Sequence, residues 1–389
     1  MPFPDSEHND LALVPKLYQK SLFERLKEKN FGIKADYDLD FYGPEVVEFD
    51  PTTACNLGCP ECISGSLLGN GGFSREAIES LLNSFVQLKV KAVVLIGGGE
   101  PMMHPMIDEI IQFLHANDIH IGITTNGLFI EKNLHSIANK VSWLRVSVDA
   151  ANSDTYRAVR PDKQGKSLFD NLVEQMKLLG SYPNRHCRFG YSMLLLSRFS
   201  VNNNIEFTNA EEIFDAAKLA KEIGCDYFEV KPTFDSHHFH IEQPKELMET
   251  AKKLLDKAKA ELQDDSFSIL TATNLFDIIE CKPTEQPKEY TSCPVTNLRT
   301  LVSPSGVFPC PYFRGVLEKS YGNPNHESLI DIWNGNQKKV VQNNLDPSTD
   351  CKFHCIRHNT NTELLKIHRA VSTESNTELP LSDDYNRFF

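Results

Sequence analysis

The run VVEFDPTTACNLGCPEC, residues 46–62, sets the reading of this chain. It opens as a short β pattern, VVEFD, and passes straight into a cysteine loop. Cys55, Cys59 and Cys62 put three thiols within eight residues, in a CxxxCxxC spacing. A structural zinc ion takes four protein ligands, so this loop is at most part of such a site, completed by distant cysteines. Three thiolates by themselves suit a cubane iron–sulfur cluster with one iron left open, able to bind a further molecule and pass it an electron.

Outward from that loop, strand and helix patterns alternate. Ser74 stands where it caps an apolar-periodic helix, REAIESLLNSFVQL. AVVLIG (92–97) is a strand, PMIDEIIQFLHAND a helix, and IHIGITT a strand that stops at Asn126 and Gly127. LRVSVDA (144–150), RFGYSMLLLS (188–197) and YFEV (227–230) complete six strands. Thr208 and Glu211 fit a capping box before the last of them, with Gly224 closing that helix. The strands are nearly continuous apolar runs, which implies burial on both faces. With right-handed crossovers this predicts an α/β fold, a partial (β/α)6 TIM-like barrel. Active sites of such folds lie at the carboxyl ends of the strands. CNLGCPEC, GGGEP, TTNG and SVDA all fall there.

The barrel is expected over residues 45–240, after an N-terminal helical extension over 1–44. A connecting helical segment over 241–280 contains PKELMETAKKLLDKAKAEL. Cysteines, turns and a hairpin signal, TLVSPSGVFPC, mark a smaller α+β domain and tail over 281–389.

The bulk numbers narrow the function. The chain has 389 residues, 40% of them hydrophobic, enough for a sizeable core. A net charge of −13 argues against nucleic acid or an anionic membrane as a partner. The N-terminus MPFPDSEHND lacks the basic start and apolar stretch of a secretory signal, and no apolar run is long enough to span a bilayer. A cytoplasmic location is expected. There, ten cysteines are not a disulfide framework. Three lie at 55–62, two are isolated at 187 and 225, and five lie at or beyond 281, which points to two metal or cluster sites.

With these motifs in this order, the sequence resembles the radical S-adenosylmethionine (SAM) superfamily over most of its length. The resemblance implies that Cys55, Cys59 and Cys62 hold a [4Fe–4S] cluster whose open iron binds SAM. It places Gly98, Gly99 and Glu100 of GGGEP at the SAM amino group, the glycines so that bare backbone can approach the ligand. Asn126 of TTNG, and Ser147 and Asp149 of VSVDA, fall at further SAM-contacting positions, Asp149 being equally readable as a helix cap. Arg157 or Arg160 is the expected partner of the SAM carboxylate, since arginine offers a bidentate fork. One departure is Glu61, where the family usually carries an aromatic residue that touches adenine.

Further on, Cys293 and Cys310 flank the hairpin, and Cys351 and Cys355 follow as CxxxC. This resembles the twitch domain, a short form of the SPASM domain, and implies a second, auxiliary [4Fe–4S] cluster. A zinc ribbon stays open as the alternative, and Cys281 as a substitute for Cys293. Cys187 and Cys225 read as inert core thiols. His237, His238 and His240 read as a solvated loop near the substrate, and Lys231 as a holder of a substrate phosphate or carboxylate.

The expected reaction is SAM cleavage to a 5′-deoxyadenosyl radical that abstracts hydrogen from a small polar metabolite such as a sugar or cyclitol. The auxiliary cluster then takes the second electron, and a flavodoxin or ferredoxin supplies the first. The alternatives are peptide or protein maturation, a radical epimerase or lyase using Cys187 or Cys225, and a zinc-stabilised binding protein.

Overall fold

The computed structural model describes residues 14–33, 43–200, 205–234, 244–271, 288–372, 381–383 and 388. Cys281 and the three histidines at 237, 238 and 240 lie outside the described residues.

Strands β1 (Val46–Phe49), β2 (Ala92–Leu95), β3 (His120–Thr125), β4 (Trp143–Ser147) and β5 (Arg188–Leu195) run parallel in chain order. A small antiparallel pair, β6 (Ser197–Phe199) and β7 (Ile205–Thr208), interrupts them. Then β8 (Tyr227–Pro232) joins β5 and β9 (Ser268–Thr271) joins β8, both parallel. Finally β10 (Arg299–Ser303) returns to the free edge of β1, again parallel, and forms the expected hairpin with β11 (Gly306–Phe308). The result is one nine-stranded sheet that begins at β11 and ends at β9, an open barrel. The six expected strands are all present. The parallel run gains two more, because β9 lies in the segment read as helical and β10 pairs with the barrel as well as with its hairpin partner.

Helices cover the outer face. They are α1 (Lys20–Glu28), α2 (Arg75–Gln87), α3 (Ile107–Ala116), α4 (Leu134–Lys140), α5 (Ser153–Val159), α6 (Phe169–Gly180), α7 (Ile213–Ile223) and α8 (Lys245–Leu262). The short helices α9 (Leu329–Asn334), α10 (Asn336–Asn343) and α11 (Pro347–Asp350) lead to α12 (His358–Ser372). Ser74 does cap α2, accepting from the Ala77 amide at 3.2 Å, and Gly224 ends α7 at φ 91°. The box expected at Thr208 does not form. Its hydroxyl instead accepts from the Ala210 amide, and α7 starts later, at Ile213.

Alternation along each strand sorts the side chains. Val47 and Phe49 point outward to α2, where Phe49 meets Phe85 edge-on at 5.5 Å. Val46, Glu48 and Asp50 take the other parity and point into the barrel. At its amino end the barrel is filled by Val46, Ala92, Leu17, Phe31, Leu364 and Phe388. Cys187 and Cys225 are buried in the outer layer between sheet and helices, as expected of core thiols. That position also turns them away from the interior, where a hydrogen-donating thiol would work. Among the described residues no helix is long and apolar enough to cross a membrane.

Candidate active site

Four loops meet at the carboxyl ends of β1 to β4. Glu100 is the knot. Its buried carboxylate accepts from the Thr125 hydroxyl at 2.6 Å, the Asn126 amide at 2.7 Å and the Met102 amide at 3.0 Å. Its own amide donates to the Ala54 carbonyl at 2.8 Å, and the Asn126 side chain donates to Asn56 at 2.7 Å. The GGGEP and TTNG motifs are therefore bonded to each other and to the cysteine loop.

Packing within the chain already requires two of the three glycines to be bare. A Cβ on Gly99 would stand 2.4 Å from the Ala54 carbonyl oxygen and 2.5 Å from the Thr53 carbonyl carbon. One on Gly97 would stand 1.8 Å from the Gly99 carbonyl oxygen. Both are bare because the chain packs on itself. Gly98 has room, its nearest neighbour being Asp50 Oδ2 at 3.5 Å.

Beyond β4, Asp149 adopts φ 62° and turns its carboxylate inward. It accepts from the Leu194 amide at 2.7 Å and pairs with Arg160, Nε at 2.7 Å and Nη2 at 2.5 Å. It is not the helix cap, since Asn152 caps α5. Arg160 Nη1 reaches to 4.0 Å from the Cys59 sulfur. Burial opposes its charge, but Asp149 and then Cys59 hold the guanidinium above its ordinary value. Arg157 is 59% exposed and pairs with Asp154, so only Arg160 of the two candidate arginines comes to the site. Ser147 ends β4 on the interior side, in register with Ser192.

The three thiols lie near one another at this end of the barrel, as electrostatic neighbours. Burial pushes Cys59 up to about 11 against the pull of Arg160, and raises Cys55, while Cys62 is exposed. The Tyr156 hydroxyl is buried without a hydrogen-bond partner, with Arg160, Cys59, Asp149 and Glu100 as its charged neighbours. A buried hydroxyl left without a partner among protein groups is what a ligand-binding pocket provides.

The C-terminal cysteines converge in a second place. Cys293, Cys310, Cys351 and Cys355 all line one apolar cavity, together with Tyr312 and Phe353. Burial first, and then the neighbouring thiols, push Cys293 and Cys351 up to about 12. Asn361 donates to the Cys293 sulfur at 3.2 Å. Arg357 also lines the cavity, and its Nη1 is buried without a partner. Among the described residues no three His, Cys, Asp or Glu side chains stand close enough to share a single metal ion.

Buried ion pairs on β1 join the two places. Glu48 holds Arg299 at 2.8 Å and Arg357 at 3.6 Å, and Asp50 accepts from Arg314 Nε at 2.6 Å and Nη2 at 3.2 Å. Sequence reasoning missed these residues. The available signal was Glu48 and Asp50 themselves, two acids at alternate positions of a strand that should be apolar on both faces.

The sequence model described as "Radical SAM superfamily" matches residues 49–255, which is more than half of the chain. The chain belongs to the radical SAM superfamily. Members use a [4Fe–4S] cluster and SAM. Among curated relatives, the AdoMet-dependent heme synthase of Methanosarcina barkeri is 25% identical over 186 residues, 47% of this chain and 48% of that protein. The subtilosin biosynthesis protein AlbA of Bacillus subtilis is 26% identical over 322 residues, 76% of this chain and 60% of that protein. The chain thus spans about half the length of the first relative and under two thirds of the second. Among solved structures, Streptococcus suis SuiB bound to the precursor peptide SuiA superposes with a TM-score of 0.59 at 16% identity, covering 83% of this chain and 71% of that one. At that identity the likeness speaks for the fold.

Proposed function

We propose that this chain is a radical SAM enzyme with two [4Fe–4S] clusters that modifies a peptide substrate. The observation that carries the reading is the sorting of seven cysteines into a three-thiol loop at the barrel mouth and a four-thiol cavity behind β1 and β10. Cys55, Cys59 and Cys62 would hold the first cluster and leave one iron open. Cys293, Cys310, Cys351 and Cys355 would hold the second and close it, in a twitch-type region within 281–389. The fit is chemical: thiol donors in both places, and a buried hydrogen-bond donor without a partner beside each. Among the described residues no three His, Cys, Asp or Glu side chains sit tight enough for one ion, and a multi-iron cluster, whose cysteines bind different irons, does not require it.

With SAM bound, the open cluster would supply hydrogen-abstraction chemistry. The chain's own residues prepare for it. Gly98, Asn126 and Ser147 line the mouth as SAM contacts, with Gly99 and Glu100 holding the loops together. Arg160 presents a positive charge beside Cys59, and Asp149 fixes its orientation. The closed cluster, walled by apolar side chains, suits electron transfer and not substrate binding.

Peptide chemistry is favoured over sugar or cyclitol oxidation by the relatives. The subtilosin protein is named for bacteriocin biosynthesis, the mycofactocin protein of Mycobacterium tuberculosis is named a maturase, and SuiB is bound to a precursor peptide. The test is anaerobic reconstitution followed by SAM cleavage under dithionite. Candidate peptides encoded beside the gene are compared with small polyols. Peptide-stimulated 5′-deoxyadenosine formation with a mass change in the peptide is expected. Stimulation by polyols alone would restore the dehydrogenase reading, and zinc without iron would sink both.

A further inference from the structure

The barrel interior holds a charged group that neither cysteine site uses. Arg145 on β4 and Glu229 and Lys231 on β8 face inward, because their neighbours Leu144, Val146, Phe228 and Val230 belong to the outer layer. Arg145 Nη1 stands 3.4 Å from Glu229 Oε2, and Lys231 Nζ stands 3.7 Å from the same oxygen. Arg145 Nη2 reaches the Thr124 hydroxyl at 3.3 Å, and its Nε is buried with no partner.

This is looser than three other ion pairs of the same barrel. Charge-assisted pairs close to about 2.7–2.9 Å. Arg314–Asp50, Arg160–Asp149 and Arg299–Glu48 close to 2.6, 2.5 and 2.8 Å. Here one carboxylate faces two cations at arm's length. The cations keep 22% and 23% of their side-chain surface exposed, and Glu229 only 2%, so the donors are what faces the accessible interior. Burial, and then the Arg145 charge, push Lys231 down to about 8, the mark of an ammonium short of compensation. Ser147 and Ser192 lie in one row with Glu229 across β4, β5 and β8, adding two hydroxyls. Lys231 also feels Asp149 and Arg160, which puts the group at the inner edge of the candidate active site.

We infer that Arg145 and Lys231 form a receptor for a carboxylate of the substrate, in which Glu229 is an internal carboxylate that competes for the two cations. The guanidinium fork matches a carboxylate through two parallel bonds, and the ammonium adds a point charge. On the peptide reading, from which the word substrate is taken, the group bound is an acidic side chain or a chain terminus.

The probe is glutarate against glutaramide, the same carbon chain without charge. Each is titrated calorimetrically into the reconstituted full chain, with and without SAM. Glutarate should bind about tenfold or more tighter than glutaramide, and Lys231→Met and Arg145→Met should each lose about tenfold of that affinity. Glu229→Gln removes the competing carboxylate and should tighten glutarate severalfold, a gain that a damaged fold does not produce. SAM affinity should hold within about twofold in all three. No preference for glutarate in the wild type, or no gain in Glu229→Gln, overturns the inference. An equal loss of SAM affinity in Lys231→Met also overturns it, since the cations would then serve SAM's own carboxylate. Iron content and SAM cleavage in the same samples report separately on the radical-enzyme reading. Their absence, with glutarate selectivity intact, would sink that reading and leave the receptor standing.

Discussion

The two cysteine groups differ in how the chain delivers them. Cys55, Cys59 and Cys62 come from one loop after β1, and the last of them stays exposed. Cys293, Cys310, Cys351 and Cys355 come from the chain before β10, the end of β11 and the loop after α11, and all face one cavity. A single loop can present three donors and leave the fourth side to a ligand. Donors gathered from separate segments wall their site in. The first arrangement suits chemistry on a bound molecule, and the second suits passing electrons or holding the fold.

Cysteine replacement is the strongest way to break this contrast. The triple change Cys55→Ala, Cys59→Ala, Cys62→Ala should lower iron from about eight to about four per chain and abolish 5′-deoxyadenosine formation. The double change Cys293→Ala, Cys310→Ala should also cost about four irons. It should leave SAM cleavage measurable, lose product, and lower the thermal midpoint, because a bound metal group contributes to folding. Equal loss of SAM cleavage in both would show that the groups do not divide the work.

The seam between the groups gives the next largest effect. Asp50 and Arg314 are both nearly inaccessible, and Arg314 has Cys62 among its charged neighbours. Arg314→Met leaves a buried carboxylate without its counter-charge, at a cost of about 3–5 kcal/mol in denaturant unfolding. The double change with Asp50→Asn should cost less than the sum of the single changes. A single-variant cost below about 1 kcal/mol, the range of solvated pairs, would mean the two regions are held together by something else.

The contrast also explains what could be read from the sequence. The loop of three cysteines was legible because its spacing is local, and the six strands because each is an apolar run bounded by turns. The strand Ser268–Thr271 was not, because four residues after a long amphipathic helix carry no distinct period. Nor was the pairing of Arg299–Ser303 with β1, since a hairpin pattern fixes its own partner and says nothing about its outer edge. Arg157 and Arg160 looked alike, being three residues apart. Only the end of α5 at Val159 separates the arginine on the helix surface from the one that turns inward.

The glycine loop sharpens the comparison on a smaller scale. Gly99→Ala drives a methyl into the backbone of Thr53 and Ala54, just before Cys55, and should cost about 1–3 kcal/mol while shifting the cysteine loop. Gly98→Ala meets only ordinary contacts and should leave stability unchanged while weakening SAM binding. Thermal melts and SAM titrations on the two variants separate the roles. A stable Gly99→Ala with intact SAM cleavage would remove the packing argument.

The smallest effect lies at Glu61, where this chain departs from its family. Glu61 grips Arg198 at 2.5 and 3.0 Å, and Arg198 also donates to the Ala158 carbonyl and lies 4.9 Å over the Phe207 ring. The cysteine loop is thereby tied to the β6–β7 pair and to α5. A flat guanidinium on an aromatic ring thus stands beside Glu61, the position where the family resemblance implies an aromatic side chain. Both charged side chains are partly solvated, 25% and 35% exposed, so the pair itself is worth about 0.2–1 kcal/mol. Glu61→Ala should therefore barely move the unfolding midpoint. If the planar surface comes from Arg198 and Phe207, Arg198→Ala should weaken SAM binding more than Glu61→Ala does. A larger loss in Glu61→Ala would place the carboxylate itself against SAM, and the open group of cysteines would then include an acid that the closed group lacks.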